Sequence, residues 1–159
     1  MKRTIIFAVL AFLFAGYAYA QSPNDMSRDH YNFIIKAKQF LIEEGFSVTY
    51  DESDESLNFK REGNSYWIEI RDDDSPFYIR YHRAGFGLDD VDMNTVYEAC
   101  NYANLANYCS LAVVGDGVVT FTTEFYCASI ESFRDTFYKN LRAVDKIRND
   151  VKEYYNEHK

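Results

Sequence analysis

The sequence predicts an α+β domain in which one antiparallel sheet is packed by helices, in the order α-β-β-β-β-α-β-β-α. Three observations carry this reading. Apolar residues recur with helical period in three segments. Between those segments they alternate with polar residues in six short runs. Tight polar turns join most of the runs, as an antiparallel meander with one buried face requires.

The first helix begins after Met26, where Tyr31, Ile34, Ile35, Lys38, Leu41 and Ile42 follow the i, i+3, i+4, i+7 rhythm with Lys38 as its polar exception. Asp25 or Ser27 suits its N-cap, and Gly45 suits the left-handed residue that ends it. The period then changes to two. Phe46, Val48 and Tyr50 define the first strand, and Leu57 and Phe59 the second. After a Gly63-Asn64 turn come Tyr66, Ile68 and Ile70, then, past Asp72 to Pro76, Phe77, Ile79 and Tyr81. His82 falls at the end of that fourth strand.

A second helix is expected over about 90–107, opened by Asp89 and Asp90, whose charge suits a helix N-terminus. Val96, Ala99, Cys100, Ala103 and Ala106 line one face of it, with Met93 at its start. Leu111 to Val114 and Val118 to Tyr126 form a hairpin around Gly115-Asp116-Gly117. Ser129 caps the last helix, whose apolar positions are Ile130, Phe133, Phe137, Leu141, Val144, Ile147, Val151 and Tyr154. Its seven-residue rhythm, broken at Asn140, needs a cover over the half beyond Val144. The first helix, through Phe33 and Phe40, is the expected cover, and a second copy of the chain is the alternative.

Residues 1–20 read as a signal peptide and 21–159 as a single domain. Lys2 and Arg3 precede an apolar run from Ile5 to Ala15, and Ala18-Tyr19-Ala20 supplies small residues for cleavage before Gln21. Such a run is short for a bilayer, which needs about 20 apolar residues. No Cys follows it for lipid attachment, and stable membrane insertion is not expected. The expected location is periplasmic or extracellular.

Without that segment, 15 basic residues face 25 acidic ones, a net charge of −10. A chain this acidic repels phosphate backbones, which argues against nucleic acid as a partner. Aromatic residues make up 18% and hydrophobic ones 47%, too much for a disordered chain. Three cysteines, Cys100, Cys109 and Cys127, share no CxxC spacing and read as buried thiols.

The acidic runs at 51–55 and 72–74 invite a calcium reading. Counting an EF-hand loop from Asp72, however, puts Phe77 where the turn glycine belongs. Asp and Ser there serve the turns themselves. His30, His82 and His158 are too far apart in the pattern for a zinc site. No GxSxG, HExxH, Walker or GxGxxG motif occurs, so neither a catalytic residue nor a cofactor is expected. Asn101 and Asn104, at i and i+3 on the second helix, share one side of it and could tether a neighbouring strand end or loop.

The run Glu98-Ala-Cys-Asn-Tyr-Ala-Asn104, followed by the GDG hairpin and a Phe-rich long helix, resembles the bacterial YbjN-like family. So does Gly45-Phe46 leading to Leu57-Asn-Phe-Lys-Arg-Glu-Gly63 and then Tyr66-Trp-Ile68. The resemblance covers about residues 30–145. It implies a fold similar to that of type III secretion chaperones and brings no enzyme activity with it. Some members are described as sensory-transduction regulators. Those chaperones are cytosolic dimers, and the signal peptide here sets this chain apart from effector chaperoning.

The functional expectation is therefore an exported, non-enzymatic domain working by protein–protein contact. Trp67, Tyr78 and Tyr126, on the outward strand face, form its candidate surface, because aromatic rings give contact area at low entropic cost. The alternative is a small-ligand or peptide-binding module with a pocket between sheet and helix, and an uncharacterised enzyme is a third. Mass spectrometry of the exported protein is expected to find Gln21, free or cyclised, at the N-terminus. Retention of Lys2 and Arg3 would remove the case for export.

Overall fold

The structure, a computed structural model, describes residues 26–72, 75–89 and 91–159. The predicted signal segment and Asp25, Asp73, Asp74 and Asp90 lie outside the described residues. Helix α1 spans Arg28–Glu43, followed by strands β1 (Val48–Asp51), β2 (Ser56–Arg61), β3 (Asn64–Arg71) and β4 (Phe77–Gly87). Helix α2 (Met93–Ala106), strands β5 (Ser110–Gly115) and β6 (Val118–Cys127), and helix α3 (Ile130–His158) complete the chain in the expected order. The six strands form one antiparallel sheet ordered β1-β2-β3-β4-β6-β5.

Local chemistry explains the boundaries. The Ser27 side chain accepts the His30 N–H at 3.1 Å and starts α1, while Gly45 at φ +89° ends it. Asp92, not the Asp89-Asp90 pair, caps α2: its carboxylate accepts the N–H groups of Asn94 and Thr95 and the Thr95 hydroxyl. The cap forms there because an Asp three residues before a hydroxyl side chain satisfies several orphan donors at once. Ser129 caps α3, as its position suggested.

The β2–β3 turn is Glu62-Gly63, both at positive φ, so Arg61 pairs with Asn64 and the turn lies one residue earlier than expected. Asp116 and Gly117 make the same kind of turn between β5 and β6. Two residues of positive φ give a hairpin whose twist matches its strands. The sequence suggested a three-residue loop, which would set Cys109 opposite Thr123. The two-residue turn instead pairs Ser110 with Thr123 and leaves Cys109 just outside the strand, its carbonyl accepting the Thr123 hydroxyl.

Strand β4 runs five residues past His82, which therefore sits inside the sheet and not at a strand end. A register shift between Ala84 and Gly87 bends this extension. A Cβ at Gly85 would lie 2.1 Å from the Val119 carbonyl oxygen, so only glycine permits the approach of β4 to β6 there.

Most of the strongly apolar strand positions face one way. Leu57, Phe59, Tyr66, Ile68, Ile70, Phe77, Ile79, Tyr81, Val119 and Phe121 are buried beneath the helices. Helix α1 meets them through His30, Phe33, Ile34, Ala37, Phe40 and Leu41, a face rotated from the expected rhythm. Ile35 and Ile42 are exposed instead. The rings decide the rotation: Phe33 packs on Phe77 at 4.6 Å and Phe40 on Phe137 at 5.3 Å. Two Phe side chains bury more apolar area than two Ile, each fully buried side chain stabilising by about 1.5–3 kcal/mol.

The second half of α3 is covered within the chain. Val144, Ile147 and Val151 have no solvent exposure. The covering helix is α2, through Val96, Ala99, Cys100 and Ala103, and not α1, whose Phe33 and Phe40 meet Phe133 on the first half. Small residues on α2 let the two axes approach, while Ala106 faces out. Val151→Glu should therefore unfold a monomer, seen as lost ellipticity and a broadened sedimentation boundary. A well-folded monomer formed from a wild-type dimer would show that a second copy covers this stripe.

Candidate functional site: the uncovered face of the sheet

The same period of two that buries one sheet face turns the other outward. Rows of side chains cross it from strand to strand. One row is Thr49, Asn58, Trp67, His82, Thr122 and Leu111; the next contains Ser56, Glu69, Arg80 and Glu124; a third holds Arg71, Tyr78 and Tyr126. All three aromatic residues singled out in the sequence lie on this face. It does not gather them into one cluster. Tyr78 and Tyr126 pair with ring centroids 5.3 Å apart, and Tyr126 is 68% exposed. Trp67 is two rows away and half-buried, stacked on the His82 imidazole at 4.8 Å with only 4° between the planes.

A polar network separates the two groups. Glu124 accepts Arg80 Nε at 2.8 Å on Oε1 and the Tyr78 hydroxyl on Oε2. Arg80 also lies 3.6 Å from Glu69 Oε2, and Arg71 is 3.5 Å from the same oxygen. Glu69 Oε1 is 3.3 Å from His82 Nε2, in ion-pair range, although neither ring nitrogen is aligned for a hydrogen bond. The His82 contact, then Arg71 and Arg80, outweighs burial and holds the Glu69 carboxyl below its ordinary range. Burial opposes the same shift at Glu124, where Tyr78 and Arg80 prevail. His82 and Thr122 are more than nine-tenths buried, and their side-chain polar atoms have no hydrogen-bond partner among the described residues.

The sequence could not supply this network. Glu69 and Arg80 are 11 residues apart and Arg80 and Glu124 are 44 apart, so only the strand register brings them together. The alternation did mark each of them as outward-facing, which is the signal that was present.

The two asparagines part company. Asn104 donates to the Ala112 carbonyl at 3.1 Å and accepts its N–H at 2.6 Å, tying α2 to the outer edge of β5. Asn101 is exposed and its side chain makes no hydrogen bond among the described residues. Asn107, just past α2, donates to Asp150 at 2.8 Å and joins the helix end to α3. The cysteines are all free: Cys100 and Cys127 are buried, while Cys109 is exposed, contrary to the expectation of a third buried thiol. Burial pushes the Cys100 thiol up to about 11 and raises that of Cys127, so both stay protonated at neutral pH.

The space between sheet and helices is filled by side chains such as Tyr81, Phe133, Phe137 and Leu141, each without solvent exposure. Clefts open on the outside. One of about 330 Å³ lies on the uncovered face between β1 and β3, and one of about 370 Å³ lies between the ends of α2 and α3 beside Tyr102 and Tyr154. Among the described residues no group of three His, Cys, Asp or Glu side chains is placed to hold a metal ion, and no helix is long and apolar enough to cross a membrane. Comparison with protein-family models finds no match to this chain, and none of the curated proteins matches it significantly.

A group whose folded pKa is lowered contributes stability above its unfolded value, and that stability is lost as pH falls through the folded value. Glu69 is such a group. The urea midpoint of the wild type should therefore fall as the pH drops from the ordinary glutamate range toward lower values. Glu69→Gln should flatten that part of the profile. An unchanged acid limb in the variant would mean that Glu69 is not held ionised by its neighbours.

Proposed function

We propose that this chain is an exported, non-enzymatic contact domain that seats a protein partner on the uncovered face of its sheet. One observation carries the proposal: Leu111 and Val113 on the edge strand β5 and Val118 on the neighbouring β6, each between 42% and 48% exposed, stand together with no helix over them among the described residues. Adjacent exposed apolar side chains on a regular surface are the mark of a docking site. Tyr126 and Tyr78 extend the face, joined to it by the Arg80–Glu124 pair. Side chains already held by one another lose less freedom when a partner arrives.

The net charge of −10 over residues 21–159 favours a partner with a basic rim, since complementary fields speed encounter. Export rests on the Lys2-Arg3 pair, the apolar run and the Ala18-Tyr19-Ala20 site. The YbjN-like resemblance supports a contact role, because that family brings no enzyme activity. The raised thiols of Cys100 and Cys127 disfavour nucleophilic chemistry at either residue.

A photo-crosslinker placed at Thr120, between these side chains, tests the proposal in envelope extract. The expected result is one crosslinked protein that the double change Leu111→Ser and Val113→Ser reduces at least about tenfold, the loss of two interface anchors of about 1 kcal/mol or more each. Tyr97→Ser, on the outer side of α2, should leave it unchanged. Loss with Tyr97→Ser and retention in the double variant would move the docking site to the helices.

A further inference from the structure

The cleft between β1 and β3 is built differently from the rest of the face. Its outward side chains are Ser47 and Thr49 beside and on β1, Asn58 and Lys60 on β2, and Ser65 and Trp67 on β3. The backbone of the Phe59–Tyr66 pair floors it, since both of those side chains point into the core. In a chain with 25 acidic residues, no carboxylate lines this cleft. Its polar side-chain groups are three hydroxyls, one amide, one ammonium and the indole N–H of Trp67.

Trp67 forms one wall. In the sheet it lies between Asn58 and His82. The His82 imidazole is stacked on the β4 side of the indole, so the other face of the ring is turned toward Asn58 and the cleft. His82 is 7% exposed and lies 3.3 Å from Glu69, which backs the ring with a buried group. A wall fixed in this way needs no ordering when a ligand stacks on it. The Asn58 amide is oriented as well, by donating to Ser56 Oγ at 3.1 Å, which leaves its carbonyl oxygen and second N–H for a ligand.

We propose that this cleft binds a neutral saccharide, with one sugar ring stacked on Trp67 and its hydroxyls bonded to Asn58, Thr49, Ser65 and Lys60. A pyranose offers what the cleft requires: a flat face of C–H bonds for the indole, and a rim of hydroxyls that both donate and accept. Hydroxyl and amide side chains pair with that rim in either direction. A nucleotide would stack as well, but its phosphates would enter the field of residues 21–159, whose net charge is −10, against a single Lys60. A proline-rich peptide would stack while offering the rim chiefly carbonyl acceptors. The volume of about 330 Å³ is at the small end of ligand sites and suits one ring with its neighbours extending along the sheet. Affinity for so few atoms falls in about the millimolar range.

The chain has one tryptophan, so its fluorescence reports on this cleft alone. Residues 21–159 would be titrated with cellohexaose, chitohexaose and maltohexaose, and in parallel with AMP and a proline decapeptide. The expected result is a saturable change in tryptophan emission with at least one of the three oligosaccharides. Asn58→Ala should raise its dissociation constant about three- to tenfold, the loss of one or two hydrogen bonds. Leu111→Ser should leave it unchanged, because that side chain stands on the far edge of the face. A flat response to all three sugars, a response that Asn58→Ala does not alter, or saturation by AMP or the peptide alone would each overturn the proposal. Because partner capture is read through Leu111 and Val113, the docking proposal can fail or hold independently of this one.

Discussion

The contact of Phe133 and Phe137 with Tyr81 is the interaction on which the rest of the structure depends. Their ring centroids lie 6.0 and 5.9 Å from that of Tyr81, at the centre of the buried sheet face, and none of the three side chains has solvent exposure. The same two phenylalanines receive Phe33 and Phe40 from α1. One turn after another, α3 then offers Leu141, Val144, Ile147 and Val151 to β4–β6 and to α2. Both other helices pack against this one, so its seat on Tyr81 sets where each can lie. Aromatic pairs add about 0.5–1.5 kcal/mol beyond the area they bury, and here several share the same rings.

A polar cluster interrupts that apolar seam. Asp145 of α3 accepts the Tyr66 hydroxyl at 2.7 Å and the Arg83 guanidinium, with Arg61 at 3.7 Å on its other oxygen. Arg83 is only 6% exposed and also lies over the Tyr66 ring at 5.4 Å. Burial, reinforced by the Asp145 bond, pushes the Tyr66 hydroxyl up to about 12, which keeps it a donor throughout the neutral range. Such a pair is weak evidence for net stability, because desolvation offsets its attraction, but an unpaired Arg83 would be costly. Its effect is directional: α3 can slide along the apolar sheet face only by breaking it.

Much of this was legible in the residues because the two periods are strong. Alternation at Leu57–Phe59, Tyr66–Ile70 and Phe77–Tyr81 identified the buried face of three strands, and Ser27 and Ser129 marked two helix starts. What was not legible depends on competition or register. On α1, Ile35 and Ile42 compete with Phe33 and Phe40 for the core, and only the partner rings decide between them. Beyond His82 the Ala84-Gly85 step has no alternation to read, so the extension of β4 was hidden. Trp67, Tyr78 and Tyr126 could be placed on one face from parity, whereas their separation by Glu69, Arg80 and Glu124 follows from pairings that reach from Tyr78 to Tyr126.

The two edges of the sheet explain why its open face, and not its rim, is available for contact. In β5 the outward backbone groups belong to Ser110, Ala112 and Val114, since Leu111 and Val113 lie between them and face their partners on β6. Asn104 occupies the central one, donating to the Ala112 carbonyl and accepting its N–H, as a neighbouring strand would. An added strand needs an unbroken row of free donors and acceptors, and here the middle of the row is taken. At the other edge β1 is four residues long, and its last residue, Asp51, turns its carboxylate to the backbone N–H and hydroxyl of Ser53. Short or capped edges leave little to extend. The apolar side chains of Leu111 and Val113 then stand beside an edge that is closed to strand addition, so the partner proposed above would meet them side chain to side chain, across the face.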